Sequence, residues 1–449
     1  MKKVITYGTF DLFHEGHYRL LKRAKELGDY LIVGVTTENY DKSRGKLNVQ
    51  ESLVQRIENV KKSGLADEII IEEYEGQKID DILKYNIDIF AIGSDWKGKF
   101  DYLSEYCKVV YLERTKGISS TQLRAKKNGI IKLGIVGYGR IANRFVPESK
   151  FVSGINVEGV FGPNQNSLEQ FVQKHELAFF TLNYNELLDR VDAVYIASPH
   201  LTHYEYIKKA LIKGKHVLCE KPIVLSAKQA NELYKLAEEK ECVLLEAIKT
   251  AYSPGFLRLL SIAKSGLIGK IKNIDATFTK LVKGNIRELD INTGGGSMTE
   301  LGSYPLLAII KLLGQNIEEI KFYSYYDIEK KVDLFTKVNL KYKDAVATAK
   351  VGLGVKSEGD LIISGTKGYI YVPSPWWKTE YFEVRFENFS DNKKYYYKFD
   401  GEGLRYELAE FVSMINRREI QTYKLKPSES ITIINVIEKF IERKNVEKI

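Results

Sequence analysis

An apolar strand, Val4-Ile5-Thr6-Tyr7, runs into a glycine turn and then into an amphipathic helix carrying Tyr18, Leu20, Leu21, Ala24 and Leu27. Between them lies Gly8-Thr9-Phe10-Asp11-Leu12-Phe13-His14-Glu15-Gly16-His17. A strand that hands over to a helix across so short a connection calls for a sheet with helices packed on it. His14 and His17 stand three positions apart at the handover, so their rings point into one pocket above a helix N-terminus. That end of a helix favours phosphate, because its free N–H groups and positive dipole end face outward. The stretch reads as a nucleotide-phosphate site, with Thr9 and Phe10 beside the nucleotide.

The alternation continues down the chain. Residues 30–35 form a continuous apolar run of the kind buried on both faces of a parallel sheet. A polar loop over 36–50 follows, then a helix at 52–63, a strand at 68–71, a helix at 79–85 and strands at 87–92 and 109–112. Repeated βα units make a doubly wound sheet whose ligands sit at the carboxyl ends of its strands. Gly93-Ser94-Asp95-Trp96-Lys97-Gly98-Lys99-Phe100 and Arg114-Thr115-Lys116-Gly117-Ile118-Ser119-Ser120-Thr121 both lie at such ends and converge with the histidines.

These residues resemble the HxGH nucleotidyltransferase superfamily, and most closely the glycerol-3-phosphate cytidylyltransferases. GTFDLFHEGH, GSDWKGKFDYL and RTKGISST carry the resemblance, which covers the chain to about residue 125. It implies attack by a substrate phosphate on the α-phosphate of CTP, release of pyrophosphate, and a requirement for Mg²⁺. Such transfer depends on positioning and on neutralising developing charge. His14 and His17 would donate hydrogen bonds to phosphate oxygens. Lys46 and Arg44 would hold the incoming phosphate, with Arg56 either joining them or lying on the helix surface. Arg114 would clamp triphosphate oxygens with its planar fork. Ser119, Ser120 and Thr121 offer hydroxyls and N–H groups at a helix start, and Asp95 faces base or ribose or caps its turn.

A chain of 449 residues suggests two or three domains. A polar basic linker, residues 124–129, ends in Asn-Gly, and a fresh strand, Ile131-Lys132-Leu133-Gly134-Ile135-Val136, begins at once. It enters Gly137-Tyr138-Gly139-Arg140-Ile141-Ala142, a G-x-G-x-x-A between strand and helix, whose glycines let backbone approach a dinucleotide pyrophosphate. The next strand, 156–161, ends in Gly162-Pro163-Asn164, with neither acid nor arginine to choose between NAD and NADP. The missing acid leans slightly toward NADP. Two further strands end in Ser198-Pro199-His200-Leu201-Thr202-His203 and in Glu220-Lys221-Pro222.

This part resembles the glucose–fructose oxidoreductase and inositol dehydrogenase family, Gfo/Idh/MocA, through GIVGYGRIA, IASPHLTHYEYIKKAL, GKHVLCEKP, VLLEA, NTGGGSMTELGSYPL and RYELAEFV, over about residues 131–413. The resemblance places Lys221 beside nicotinamide and the reacting carbon, with Pro222 fixing the turn through a cis peptide. Gly137, Gly139, Arg140, Ile141, Ala142, Ser198, Pro199, His200, His203 and Glu220 fall on the cofactor side. Glu300 and Tyr304 share a helix face four residues apart. Tyr304 is the expected proton donor or relay, Glu300 its orienting or substrate-binding partner and Lys221 an electrostatic helper. Lys249-Thr250 departs from the family, which often has an aromatic and an arginine there.

The expected fold is α/β: a Rossmann-like parallel-sheet nucleotidyltransferase domain at 1–128, an NAD(P)-binding Rossmann domain at 129–250, and a C-terminal α+β open-sheet domain at 251–449. The last suits a subunit interface, so a homo-oligomer is expected. A net charge of +9 is interspersed along the chain, without a nucleic-acid arm. No stretch approaches the ~20 apolar residues of a membrane span. Cys107, Cys219 and Cys242 are sparse and odd in number, as in a reducing compartment, so the expected location is the cytoplasm. No metal ligands are assigned. Small molecules are the expected partners: CTP, a polyol phosphate and a carbonyl precursor. The combined reading is a cytidylyltransferase fused to a reductase. Its alternatives are a different alcohol phosphate, such as that of choline, ethanolamine or a sugar, and an oxidoreductase-like part serving only to bind or dimerise.

Overall fold

The structure is a computed structural model that describes residues 1–37, 40–41, 49, 51–74, 76–113, 129–284 and 286–449, together with all their side chains but that of Asp95. The chain folds as two compact units, residues 1–130 with 152–154, and residues 131–151 with 155–449.

The first unit is a sheet of five parallel strands: β1 (Lys3–Gly8), β2 (Tyr30–Thr36), β3 (Glu68–Glu72), β4 (Ile89–Gly93) and β5 (Lys108–Leu112), in the order β3-β2-β1-β4-β5. Helices α1 (Glu15–Lys25), α2 (Leu53–Lys62) and α3 (Gln77–Tyr85) make the connections. Leu31, Ile32, Val33 and Val35 are fully buried because β2 has apolar cover on both faces. Gly34 interrupts that run for a reason: a Cβ there would stand 2.2 Å from the Tyr7 ring. The strand order reverses between β1 and β4, and the open end of that crevice is where such sheets bind ligands.

In the second unit six parallel strands, β6 (Ile131–Val136), β7 (Ile155–Phe161), β8 (Phe179–Thr181), β9 (Ala193–Ile196), β10 (His216–Glu220) and β11 (Leu244–Ala247), stand in the order β11-β10-β9-β6-β7-β8. Its switch point lies between β6 and β9. Helices α4 (Arg140–Ser149), α5 (Gln165–His175), α6 (Tyr184–Arg190), α7 (His203–Ile212), α8 (Ala227–Glu239) and α9 (Pro254–Lys264) surround or follow it.

The chain then builds a nine-stranded sheet. Its strands are β12 (Ile271–Thr279), β13 (Glu319–Tyr326), β14 (Asp333–Lys341), β15 (Val346–Gly352), β16 (Leu361–Gly365), β17 (Tyr369–Val372), β18 (Tyr381–Arg385), β19 (Lys393–Tyr396) and β20 (Val446–Lys448). Pairing is antiparallel except for β12 with β15 and β13 with β20. Helices α10 (Ser297–Leu301), α11 (Ser303–Leu313), α12 (Leu404–Arg417) and α13 (Pro427–Ile441) complete the unit. The helix expected to carry Glu300 and Tyr304 together is broken at Gly302 into α10 and α11. Among the described residues no helix is long and apolar enough to cross a membrane.

Candidate functional site

Each unit brings chemistry to the open end of its own crevice. In the first, His14 is the N-cap of α1, and its Nδ1 accepts the Gly16 N–H at 3.0 Å. An accepting Nδ1 leaves the ring proton of neutral imidazole on Nε2, the atom that can donate to a phosphate. His17 stacks on His14, with centroids 3.8 Å apart and planes 20° from parallel. Phe10 and Leu12 adopt left-handed backbone, φ 52° and 48°, which costs a non-glycine residue about 1–2 kcal/mol each. Burial of the Phe10 ring, which meets His17 edge-on at 5.4 Å, holds the loop in that shape.

Arg56 corrects the sequence reading. It is neither a surface charge nor open to a phosphate, but fully buried. Its Nη1 donates to Thr9 O and Thr36 O, both at 2.8 Å, its Nε to Glu51 O at 3.1 Å, and Nη1 lies 3.5 Å from Asp41 Oδ2. Asp41 in turn accepts from the hydroxyls of Thr9 (2.8 Å) and Thr36 (2.7 Å). Arg56 therefore ties the carboxyl ends of β1 and β2 together, because a buried guanidinium must spend its protons on acceptors. Asp41, which sequence reasoning missed, completes that tie. Arg44, Lys46, Arg114, Ser119, Ser120, Thr121 and the Asp95 side chain lie outside the described residues.

In the second unit, Gly137 has φ 95°, and a Cβ on it would stand 2.9 Å from Ala197 O, so only glycine lets β6 pass the end of β9. Gly139 has nothing within 4 Å of where a Cβ would stand, which leaves an open cradle at the N-terminus of α4 for a pyrophosphate. These two observations fit an NAD(P) dinucleotide, with Ile141 and the buried Ala142 in the first turn of α4. The Ser198 hydroxyl meets that of Thr202 at 2.7 Å, beside exposed Pro199. Arg140 turns its Nη2 to Glu288 Oε1 at 2.6 Å. At the end of β7, Asn164 caps α5 by accepting the Ser167 N–H at 3.0 Å.

His203 is fully buried and joins two backbone turns, Nδ1 3.0 Å from Pro222 O and Nε2 2.9 Å from Ser198 O. Burial lowers its pKa, so the ring is neutral and one of the two contacts carries its proton. Its place is structural. The Lys221–Pro222 peptide is cis.

Lys221 Nζ donates to Glu300 O at 2.9 Å and lies 5.9 Å from the centroid of the Tyr304 ring. The Glu300 carboxylate does not orient Tyr304: no hydrogen bond joins them among the described residues. Glu300 Oε1 instead lies 2.8 Å from Arg287 Nη1 and 3.7 Å from His200 Nε2. Arg287 went unseen in the sequence because it sits in an irregular segment that only the tertiary fold brings to α10. Burial, then the neighbouring Lys221, His203 and Arg287, hold His200 well below its usual pKa, and thus neutral. Burial, then Glu220, Glu407, Glu300 and Glu402, raise Tyr304 well above the usual phenol value, so it keeps its proton. Glu220 accepts the Tyr195 hydroxyl at 2.6 Å; burial raises its pKa while Lys221 opposes that rise. Glu407 on α12 is fully buried, neither of its oxygens has a hydrogen-bond partner among the described residues, and burial raises its pKa well above normal.

Paired histidines at one switch point, and a dinucleotide cradle with a lysine and a protonated tyrosine at another, define a two-part α/β enzyme of nucleotide chemistry. Residues 5–126 match the cytidylyltransferase-like family, 131–247 the oxidoreductase family with NAD-binding Rossmann fold, and 256–371 the GFO/IDH/MocA C-terminal domain. The glycerol-3-phosphate cytidylyltransferase of Bacillus spizizenii is 56% identical over 124 residues, 28% of this chain and 95% of that protein. That of Staphylococcus aureus is 44% identical over 129 residues, 29% of this chain and 97% of its own length. The dTDP-3,4-didehydro-2,6-dideoxy-alpha-D-glucose 3-reductase of Actinomadura kijaniata is 32% identical over 193 residues, 42% of this chain and 58% of that protein. A 3-ketoreductase from Actinomadura kijaniata, solved with NADP and TDP-benzene, superposes with a TM-score of 0.65 at 21% identity, over 71% of this chain and 99% of its own.

The chain belongs to the cytidylyltransferase-like family through its first unit, fused to GFO/IDH/MocA oxidoreductase domains. It is a cytidylyltransferase and an NAD(P)-dependent oxidoreductase in one polypeptide.

Proposed function

We propose that the second unit reduces a carbonyl precursor to a polyol, and that the first joins the polyol phosphate to CMP, making CDP-glycerol or another CDP-polyol for a bacterial surface polymer. The observation that carries this reading is the histidine pair at the β1–α1 handover, in a segment 56% identical to a glycerol-3-phosphate cytidylyltransferase along nearly all of that enzyme's length. A phosphate oxygen of the polyol phosphate attacks the α-phosphorus of CTP, and the bond to the bridging oxygen of pyrophosphate breaks. The Nε2–H of His14 and the His17 ring sit where charge builds on the phosphate oxygens, with Lys46 and Arg114 assigned to the same task. Among the described residues no cluster of three or more His, Cys, Asp or Glu side chains is arranged to hold a metal ion. Mg²⁺ is assigned a place with CTP, on the oxygens of the triphosphate.

In the second unit a nicotinamide dinucleotide, which the Gly137–Gly139 turn would hold, would supply the reducing equivalent. Tyr304, kept protonated by burial and then by its carboxyl neighbours, delivers a proton to the carbonyl oxygen, and the Lys221 ammonium stabilises the alkoxide as it grows. NADP is slightly favoured over NAD, on the absence of an acidic residue at the end of β7.

Incubation with CTP, Mg²⁺ and a panel of polyol phosphates tests the first half. Release of pyrophosphate with CTP and a glycerol phosphate is expected. None with any polyol phosphate, or equal release with ATP, sinks the CDP-polyol assignment. A second reading reverses the order, with reduction of a carbonyl already linked to a nucleotide; the 32% identity to a dTDP-sugar 3-reductase favours it.

A further inference from the structure

We infer that the carbonyl substrate of the second unit carries a phosphoryl group, and that Lys249, Lys378 and Arg144 hold it in the place now filled by the Glu402 carboxylate. This rests on the reductase reading above and adds the substrate class.

Three cations face one oxygen. Glu402 Oε2 lies 3.5 Å from Arg144 Nη1, 3.5 Å from Lys378 Nζ and 3.8 Å from Lys249 Nζ. None reaches the 2.7–2.9 Å of a charge-assisted hydrogen bond. A single carboxylate oxygen faces all three cations, and Lys249 is nearly buried, its side chain 13% exposed. Burial lowers the Lys249 pKa, as does the neighbouring Lys378, while Glu402, Glu407 and Glu220 oppose that shift. A phosphoryl dianion offers the charge and the several oxygens that three donors in this arrangement lack.

The loop around Glu402 is built to let the carboxylate go. Gly401 and Gly403 flank it at φ 61° and 82°. The backbone is pinned by Glu148, which accepts the N–H of Glu402 at 3.4 Å and grips Arg405 through two bonds at 2.8 and 2.9 Å. Lys249 Nζ donates to Glu402 O at 2.7 Å. The main chain is thus held while the side chain, 38% exposed, rests loosely.

The cluster lies beside the reacting groups. β10 and β11 are parallel neighbours with Glu220 opposite Ala247, so Lys221 and Lys249 leave adjacent strand ends. Lys378 follows Trp377, whose ring stacks on Phe278 at 3.6 Å, and Phe278 packs on Tyr304 at 5.1 Å. An aromatic wall therefore runs from the proton donor to the basic cluster, a surface suited to the C–H face of a sugar.

The full-length chain should be assayed for NADPH and NADH oxidation with fructose, fructose 6-phosphate, dihydroxyacetone, dihydroxyacetone phosphate and a CDP-linked ketose. At least one phosphorylated carbonyl is expected to be preferred over its unphosphorylated parent. Lys249→Met and Lys378→Gln should each raise its KM about 10- to 100-fold, and change KM for the parent less than about twofold. Glu402→Gln should lower KM for the phosphorylated carbonyl. Whether the ester or the CDP-linked ketose shows this dependence identifies which phosphoryl group occupies the cluster. Equal effects on both kinds of carbonyl, or reduction of unphosphorylated carbonyls only, overturns the inference while leaving the reductase standing. Amine acetylation read by mass spectrometry supplies a measure independent of turnover. Fructose 6-phosphate, unlike fructose, should slow acetylation of Lys378 in the presence of NADP⁺. Absence of that protection with every phosphorylated probe overturns the inference even if no carbonyl is reduced.

Discussion

Tyr304 and Glu246 show how burial sets the charge of single groups in the second unit. Burial, and then the nearby carboxyl groups of β10, α10 and α12, raise the Tyr304 pKa, which leaves it an acid and not a base at neutral pH. Tyr304→Phe removes the proton and little else. It should lower kcat for carbonyl reduction by about 10²-fold or more, with NADPH affinity, read by fluorescence titration, unchanged. Glu246 in β11 is fully buried, accepts the Ile223 N–H at 3.0 Å, and is pushed up to about 7 by burial. Its native pKa is above its unfolded value, so its contribution to stability is complete below about pH 4.5 and is lost as pH rises through about 7. The loss is of the order of 3 kcal/mol. Glu246→Gln should thus differ least from the parent in unfolding midpoint near pH 5 and become relatively more stable toward pH 8. A gap between the two proteins that does not change with pH would refute this assignment.

At the scale of elements, the glycine turn between β6 and α4 is the most exacting. Gly137→Ala places a methyl 2.9 Å from Ala197 O and 3.0 Å from Ala197 C on a backbone at φ 95°, and rigid main chain is what it meets. We expect dinucleotide binding, measured by titration calorimetry, to weaken at least tenfold, and stability to fall by about 1–2 kcal/mol. The strands and helices that frame this turn were legible because each buried strand is a short apolar run and each helix an amphipathic repeat. The Gly302 break was not, since Glu300 and Tyr304 keep helical spacing across it. Arg56 was misplaced because its neighbours Gln55, Glu58 and Asn59 read as a solvated face, whereas the Thr9–Thr36–Asp41 network that buries it is assembled from three other segments. Arg287, Lys378 and Glu402 sit in irregular connections of the nine-stranded sheet. No periodicity marks such residues; only the closed fold brings Arg287 to Glu300 and Lys378 to Glu402.

The whole molecule contains two reaction centres, each built from its own sheet. The residues assigned to the two centres come from different units: His14 caps α1 and His17 lies in its first turn, while Lys221 follows β10 and Tyr304 lies in α11. Their inactivation should therefore be separable in the intact chain. His17→Ala is expected to reduce CTP-dependent pyrophosphate release by about 10²-fold or more while leaving NADPH oxidation within about twofold of the parent. Lys221→Met should do the reverse. The two variants mixed in equal amounts should then convert a keto precursor to a CDP-polyol, because each supplies the step the other lacks and the intermediate is a diffusible small molecule. Product detected by mass in the mixture, but in neither variant alone, supports two consecutive steps in separate centres. If the mixture makes none while the parent does, the intermediate must stay within one polypeptide, and the independence of the centres fails.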